Sequence, residues 1–188
     1  PRTTTRQTGS ETLKRLRFRG LHDRHAGREA EPASLAELTR KLEGLPAEQG
    51  RIVAAFSYLM ARVAGTDLEM AENERAAIAA RLETFAELDG EAAARLADAA
   101  LASAALHGAS DDHLVARAFR DMSEHEERLR LIRCLLAVAA ADETITTRED
   151  NEIFEVAAEI GVDRRDVVAI RSQWKDYLGS MRALPRER

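Results

Sequence analysis

The stretch "AVAAADETITTREDNEIFEVAAEIG", residues 137–161, decides how the chain is read. An apolar run ending at Ala141 empties into Asp142, Glu143 and Thr144, and three further acids (Glu149, Asp150 and Glu152) follow. The apolar pattern then resumes at Ile153, Val156 and Ile160, in the steps of three and four that mark one face of a helix. Thr146 and Glu149 have the spacing of a capping box. The hydroxyl accepts from the backbone at Glu149, and the carboxylate reaches back to the Thr146 amide. Gly161 falls where a left-handed residue closes a helix. The segment is a helix, an acidic turn and a second helix.

The same unit occurs earlier. "VAGTDLEMAENERAAI" at 63–78 aligns without gaps with "VAAADETITTREDNEI" at 138–153. Val63, Ala64, Asp67, Met70, Glu74 and Ile78 fall on Val138, Ala139, Asp142, Ile145, Glu149 and Ile153. Two such units in one domain predict packing about a pseudo-twofold axis that brings the acidic turns toward each other.

Elsewhere the signals are again helical. "SLAE" at 34–37 and "SEHE" at 123–126 read as capping boxes, and Pro46 opens a helix with Ile52, Phe56, Leu59, Met60 and Val63 on one stripe. Ile78, Leu82 and Phe85 mark the next helix, and Asp89 caps an alanine-rich one over 91–106. "HGASDD" at 107–112 is expected to break it, with Ser110 starting another. Asp163 caps a last helix carrying Val167, Ile170, Trp174, Tyr177 and Leu178. No segment alternates at period two. The expectation is an all-α fold of about eight helices without strands. Its core is formed by Phe56, Leu59, Val63, Ile78, Leu82, Cys134, Leu135, Val138, Ile153, Val156 and Ile160.

Composition agrees. The 188 residues are 32% charged and only 4% aromatic, with four prolines and ten glycines, a mixture that favours long helices over strands. The single Cys134 excludes a disulfide framework and fits a reducing cytoplasm. No apolar run reaches the roughly 20 residues of a membrane span. Charge is unevenly placed. Residues 1–28 hold eight basic and two acidic residues, and the remainder twenty basic and thirty-one acidic, for a net −5. Residues 1–30 therefore read as a basic arm or linker, without the apolar segment of a secretory signal, ahead of one helical domain at 31–188.

Two readings of the acidic turns stand side by side. Thr146, Glu149 and the acids of the first helical turn are what a well-capped helix requires. In the first unit, however, Ala71 replaces Thr146 and cannot cap, while Asp67 and Asp142 lie too early for capping. Asp67, Glu74, Asp142 and Glu149 are thus candidate oxygen ligands for a hard divalent cation such as Ca²⁺, Mg²⁺ or Mn²⁺. The EF-hand pattern fails for lack of Gly and Glu at its required positions, and zinc finds too few cysteines.

These two stretches carry a resemblance. "AAADETITTREDNEI" and "AGTDLEMAENE" resemble the TerB domain of tellurite-resistance and stress proteins, and more loosely the TerB-like domain of some membrane-anchored J-domain co-chaperones. The family turn is Asp-Gly-x-Ile/Val-Ser/Thr-x-x-Glu, matched here by Asp142, Ile145, Thr146 and Glu149, and by Asp67, Met70 and Glu74. The usual Gly is Leu68 in one turn and Glu143 in the other, and the usual hydroxyl is Ala71 in the first. The resemblance covers about 45–180. It implies an all-α module whose shared acids have been proposed to bind divalent metal, with no established catalysis.

His113 and His125 lie near carboxylates but at expected helix starts, and no nucleophile elbow or phosphate-binding loop occurs. The expectation is a non-enzymatic stress-response module with protein partners. Its alternative is a metal-free helical interaction scaffold whose basic arm, "LKRLRFRGL", contacts anionic membrane surfaces weakly and reversibly. Specific nucleic-acid binding does not suit so acidic a domain.

Overall fold

A computed structural model describes residues 31–42, 44–65 and 72–179. The basic arm, residues 1–30, lies outside them. Among the described residues seven α-helices follow in order: α1 (Ala33–Arg40), α2 (Ala47–Ala64), α3 (Glu72–Ala86), α4 (Gly90–Met122), α5 (His125–Ala139), α6 (Thr147–Glu159) and α7 (Arg164–Arg171). A short 3-10 helix, Ser172–Trp174, follows α7. Among the described residues there is no strand, only an isolated bridge between Ile145 and Leu178. The fold is all-α, as the periodicity predicts.

The repeat is visible in both boundaries and burial. α2 ends at Ala64 and α3 starts at Glu72, at the positions that match Ala139 and Thr147, where α5 ends and α6 starts. Val63 and Val138, Glu74 and Glu149, and Ile78 and Ile153 are all buried. α2 packs on α5, and each also touches the second helix of the other unit, α2 on α6 and α5 on α3. Those reciprocal contacts are what a twofold relation between the units generates.

α4 carries the assembly, running beneath α1, α2, α3 and α6. Its 33 residues span about 50 Å at 1.5 Å per residue. Ala93, Ala97 and Ala100 are fully buried along it, and their small side chains admit the neighbouring helices closely. The expected break at "HGASDD" does not occur. Gly108 weakens a helix by only about 1 kcal/mol, the Ser110 hydroxyl donates within α4 to His107 C=O and Asp111 Oδ1, and the two aspartates are used by other helices. Asp111 Oδ2 accepts from both the backbone N–H and the hydroxyl of Ser34, at 2.9 and 2.7 Å, and Asp112 Oδ1 accepts from the Tyr58 hydroxyl at 2.8 Å.

That use of Asp111 also displaces the first expected capping box. Pro32, not Ser34, holds the N-cap position of α1, and the Asp111 carboxylate supplies the negative charge favoured at that helix start. In α5 the box is shifted by one residue, with the Glu124 N–H donating to Glu127 Oε2 at 2.8 Å. Asp89 and Asp163 cap α4 and α7 as predicted. Gly161, at φ +73°, closes α6 in a Schellman motif, Val162 N–H reaching Ala157 C=O and Gly161 N–H reaching Ala158 C=O.

The last helix is shorter than expected. Beyond Trp174 the chain turns, because Tyr177 C=O and Gly179 N–H bond to the Ile145 backbone at 2.7 and 2.9 Å. This places Leu178 in the core. Of the predicted core, all residues are buried except Cys134, which is half-buried at its edge. No helix among the described residues is long and apolar enough to cross a membrane.

Candidate functional site

Where α5 ends, Glu143 takes φ +69°, the left-handed region that costs a side-chain-bearing residue about 1–2 kcal/mol. Its neighbour explains how the turn holds. Asp142 Oδ1 accepts from the Thr144 N–H at 3.0 Å, closing a side-chain turn two residues long. This corrects the sequence reading, in which no local bond required Asp142. Glu143 occupies the position at which the family pattern has Gly, and the positive φ is the reason. Glu143→Gly should therefore raise stability by about 0.5–1 kcal/mol, as the relief of strain outweighs the greater chain entropy of Gly. Urea unfolding checks it, and a loss of stability would contradict the strain account.

The capping box then follows. Glu149 Oε2 accepts from Thr146 N–H at 2.7 Å, and Thr146 Oγ1 accepts from Glu149 N–H at 3.2 Å, with Glu149 only 3% exposed. Asp150 takes a two-pronged bond from Arg171, with both contacts at 2.6 Å, and Arg171 and Arg164 both lie over the ring of Phe154. The acidic stretch is thus tied to α7 by Arg171 and to the C-terminal residues 177–179 by Ile145.

Of the four candidate ligands, Glu74, Asp142 and Glu149 are described, whereas Asp67 lies within residues 66–71, outside the described residues. Glu74 and Glu149 are equivalent buried carboxylates at the starts of α3 and α6. Among the described residues, no three His, Cys, Asp or Glu side chains are grouped to hold a metal ion.

A second polar centre escaped the sequence reading. Arg62, its side chain 7% exposed, projects from the buried helix α2 into three carboxylates. Its Nε lies 2.6 Å from Glu152 and 3.6 Å from Asp112, and its Nη1 lies 2.6 Å from Glu159. Burial alone would lower the guanidinium pKa, but the Glu159 hydrogen bond and the charges of Glu152, Glu159 and Asp112 outweigh it and raise the value. Burial raises the Asp112 carboxyl, with Glu159 and Asp111 acting the same way against Tyr58 and Arg62. Burial, then the Asp112 hydrogen bond, holds the Tyr58 phenol far above its ordinary range. One signal was legible: a single Arg between Ala61 and Val63 in a helix that is otherwise apolar for most of its turns.

The remaining chemistry is modest. Burial pushes the Cys134 thiol up, against the pull of Arg81, Arg130 and Arg133, so it is a poor nucleophile. His113 and His125 are largely exposed, at 3.6 Å from Glu159 and 3.9 Å from Asp166. A groove of about 1130 Å³ runs between the end of α1 and the start of α4, lined by Leu42, Leu45, Leu88 and Leu96 beside Arg40, Lys41 and Arg95.

These features define a helical module in which paired helix–turn–helix units are joined by carboxylate–arginine bonds. The model of the family described as "Tellurite resistance protein TerB" matches residues 53–172, and the chain belongs to that family. The match runs from inside α2 to the end of α7 and includes both acidic turns. No curated protein and no solved structure matches the chain.

Proposed function

We propose that this TerB-family chain is a non-enzymatic, cytoplasmic stress-response module that acts as a helical scaffold for a protein partner. The observation that carries this reading is the employment of the acidic stretch. Asp142 binds the Thr144 amide, Glu149 the Thr146 amide, Asp150 Arg171 and Glu152 Arg62. Two of these acids close the turn between α5 and α6 and two tie α6 to α7 and α2, so the stretch makes sense as a joint. The leucine-lined groove beside Arg40, Lys41 and Arg95 supports partner binding through a helical face. The basic arm adds weak attraction to anionic membrane surfaces.

A second reading keeps a divalent cation, Ca²⁺, Mg²⁺ or Mn²⁺, at Asp67, Glu74, Asp142 and Glu149. It is favoured by the burial of Glu74 and Glu149 at repeat-related positions. Thermal melts with a chelator and then with each cation separate the two. The scaffold expects melting temperatures within about 1 °C of one another. A cation at 100 times its Kd adds about 2.7 kcal/mol, or roughly 5–10 °C at this chain length. That increment would have to vanish in Asp67→Asn and Asp142→Asn.

A further inference from the structure

The Arg62 centre is out of electrical balance at neutral pH. Three carboxylates, Asp112 on α4 and Glu152 and Glu159 on α6, face one guanidinium from α2. Among the described residues, the other groups acting on Asp112 are neutral or acidic, and His107 of α4 acts in turn on Asp111. Tyr58 of α2 is a neutral donor, Asp111 of α4 is a further acid, and α1 contributes the uncharged Ser34, bound to Asp111. On the rim stands His113 of α4, with Nδ1 3.6 Å from Glu159 Oε1. Imidazole is the side chain that gains charge just below neutral pH.

We propose that this α2–α4–α6 junction is a proton-responsive latch, in which acidification delivers a proton to the Asp112–Arg62–Glu159–His113 cluster and tightens α6 against α2 and α4. The proton belongs to the cluster rather than to one residue, because groups this close titrate together. On His113 it sets a second cation beside Glu159. On Asp112 it removes one of the three facing charges, and the remaining carboxylates share Arg62. Each route lowers the surplus negative charge.

The sign follows from the raised Asp112 carboxyl. Between its ordinary value and its folded value, the folded protein holds the proton and the unfolded chain does not, so stability falls as pH rises through the folded value. The stabilisation is fully present below the ordinary value.

The test compares wild type with Asp112→Asn, His113→Gln and the double variant at pH 7.5 and at pH 4, near the ordinary aspartate value of about 3.9. Asn keeps an acceptor for Tyr58, and His113 is largely exposed, so both variants preserve the packing. Other carboxylates cancel in the difference between proteins. Wild type should gain more than about 1 °C relative to the double variant on acidification, with each single variant in between. A difference constant to within about 1 °C would overturn the latch. A carboxyl-carbon NMR titration of the folded wild type supplies a second readout. The Asp112 midpoint should lie above the free aspartate value of about 3.9, and a midpoint below it would also overturn the proposal.

Discussion

Replacing Arg62 with Met should cost about 3 kcal/mol of folding stability. Removing one partner of a buried ion pair costs about 3–5 kcal/mol because the opposite charges are left uncompensated. The lower end applies here, since Asp112, Glu152 and Glu159 keep 32, 21 and 22% of their side-chain surface and recover some hydration. Met approximates the volume of the aliphatic stem, so the loss measures charge rather than a cavity. For a chain of this length the melting temperature should fall by roughly 6–12 °C. Neutralising one acid instead, by Glu152→Gln or Glu159→Gln, should cost much less, because Arg62 retains other carboxylates. Urea titrations of the three variants at neutral pH check the order. A loss below about 1 kcal/mol for Arg62→Met would mean that the network is incidental to the joint between the two repeat units and α4.

Phe56→Ala should be at least as damaging, at about 4 kcal/mol. Phe56 is fully buried on α2, its ring lies 3.7 Å from that of Phe85 on α3 at an interplanar angle of 7°, and Phe119 of α4 leans on it at 6.2 Å. One side chain therefore joins three helices. Truncating a core Phe costs about 3–5 kcal/mol through lost transfer energy and a residual cavity, and a stacked pair adds about 0.5–1.5 kcal/mol beyond its area. Phe56→Leu, which keeps most of the volume, should cost about 1.5 kcal/mol. Chemical denaturation of both variants distinguishes cavity from chemistry. Equal losses for Leu and Ala would show that the stacked ring geometry, rather than the filled volume, holds the three helices together.

What could be read without coordinates was whatever depends on neighbours a few residues away. The step of three and four at Ile153, Val156 and Ile160, the Thr146–Glu149 box, the Asp89 and Asp163 caps and the Gly161 closure involve partners within one or two turns. Their energies are set by local backbone geometry, so spacing alone determines them. The gapless repeat belongs with them, since equivalent sequences fold to equivalent units with matching ends.

Tertiary structure decided what the long-range polar groups do. "HGASDD" carries the composition of a break, yet α4 runs through it because Asp111 and Asp112 bind Ser34 and Tyr58, 77 and 54 residues away. The Arg62 centre draws on acids 90 and 97 residues distant, and no periodicity of one helix announces which face of another it will meet. The C-terminal residues left their helical register for the Ile145 backbone for the same reason. A charge pairs with whatever the packing of apolar faces brings within reach. The sequence by itself determined that packing's helices and stripes, and only the assembled fold determined which carboxylates surround Arg62.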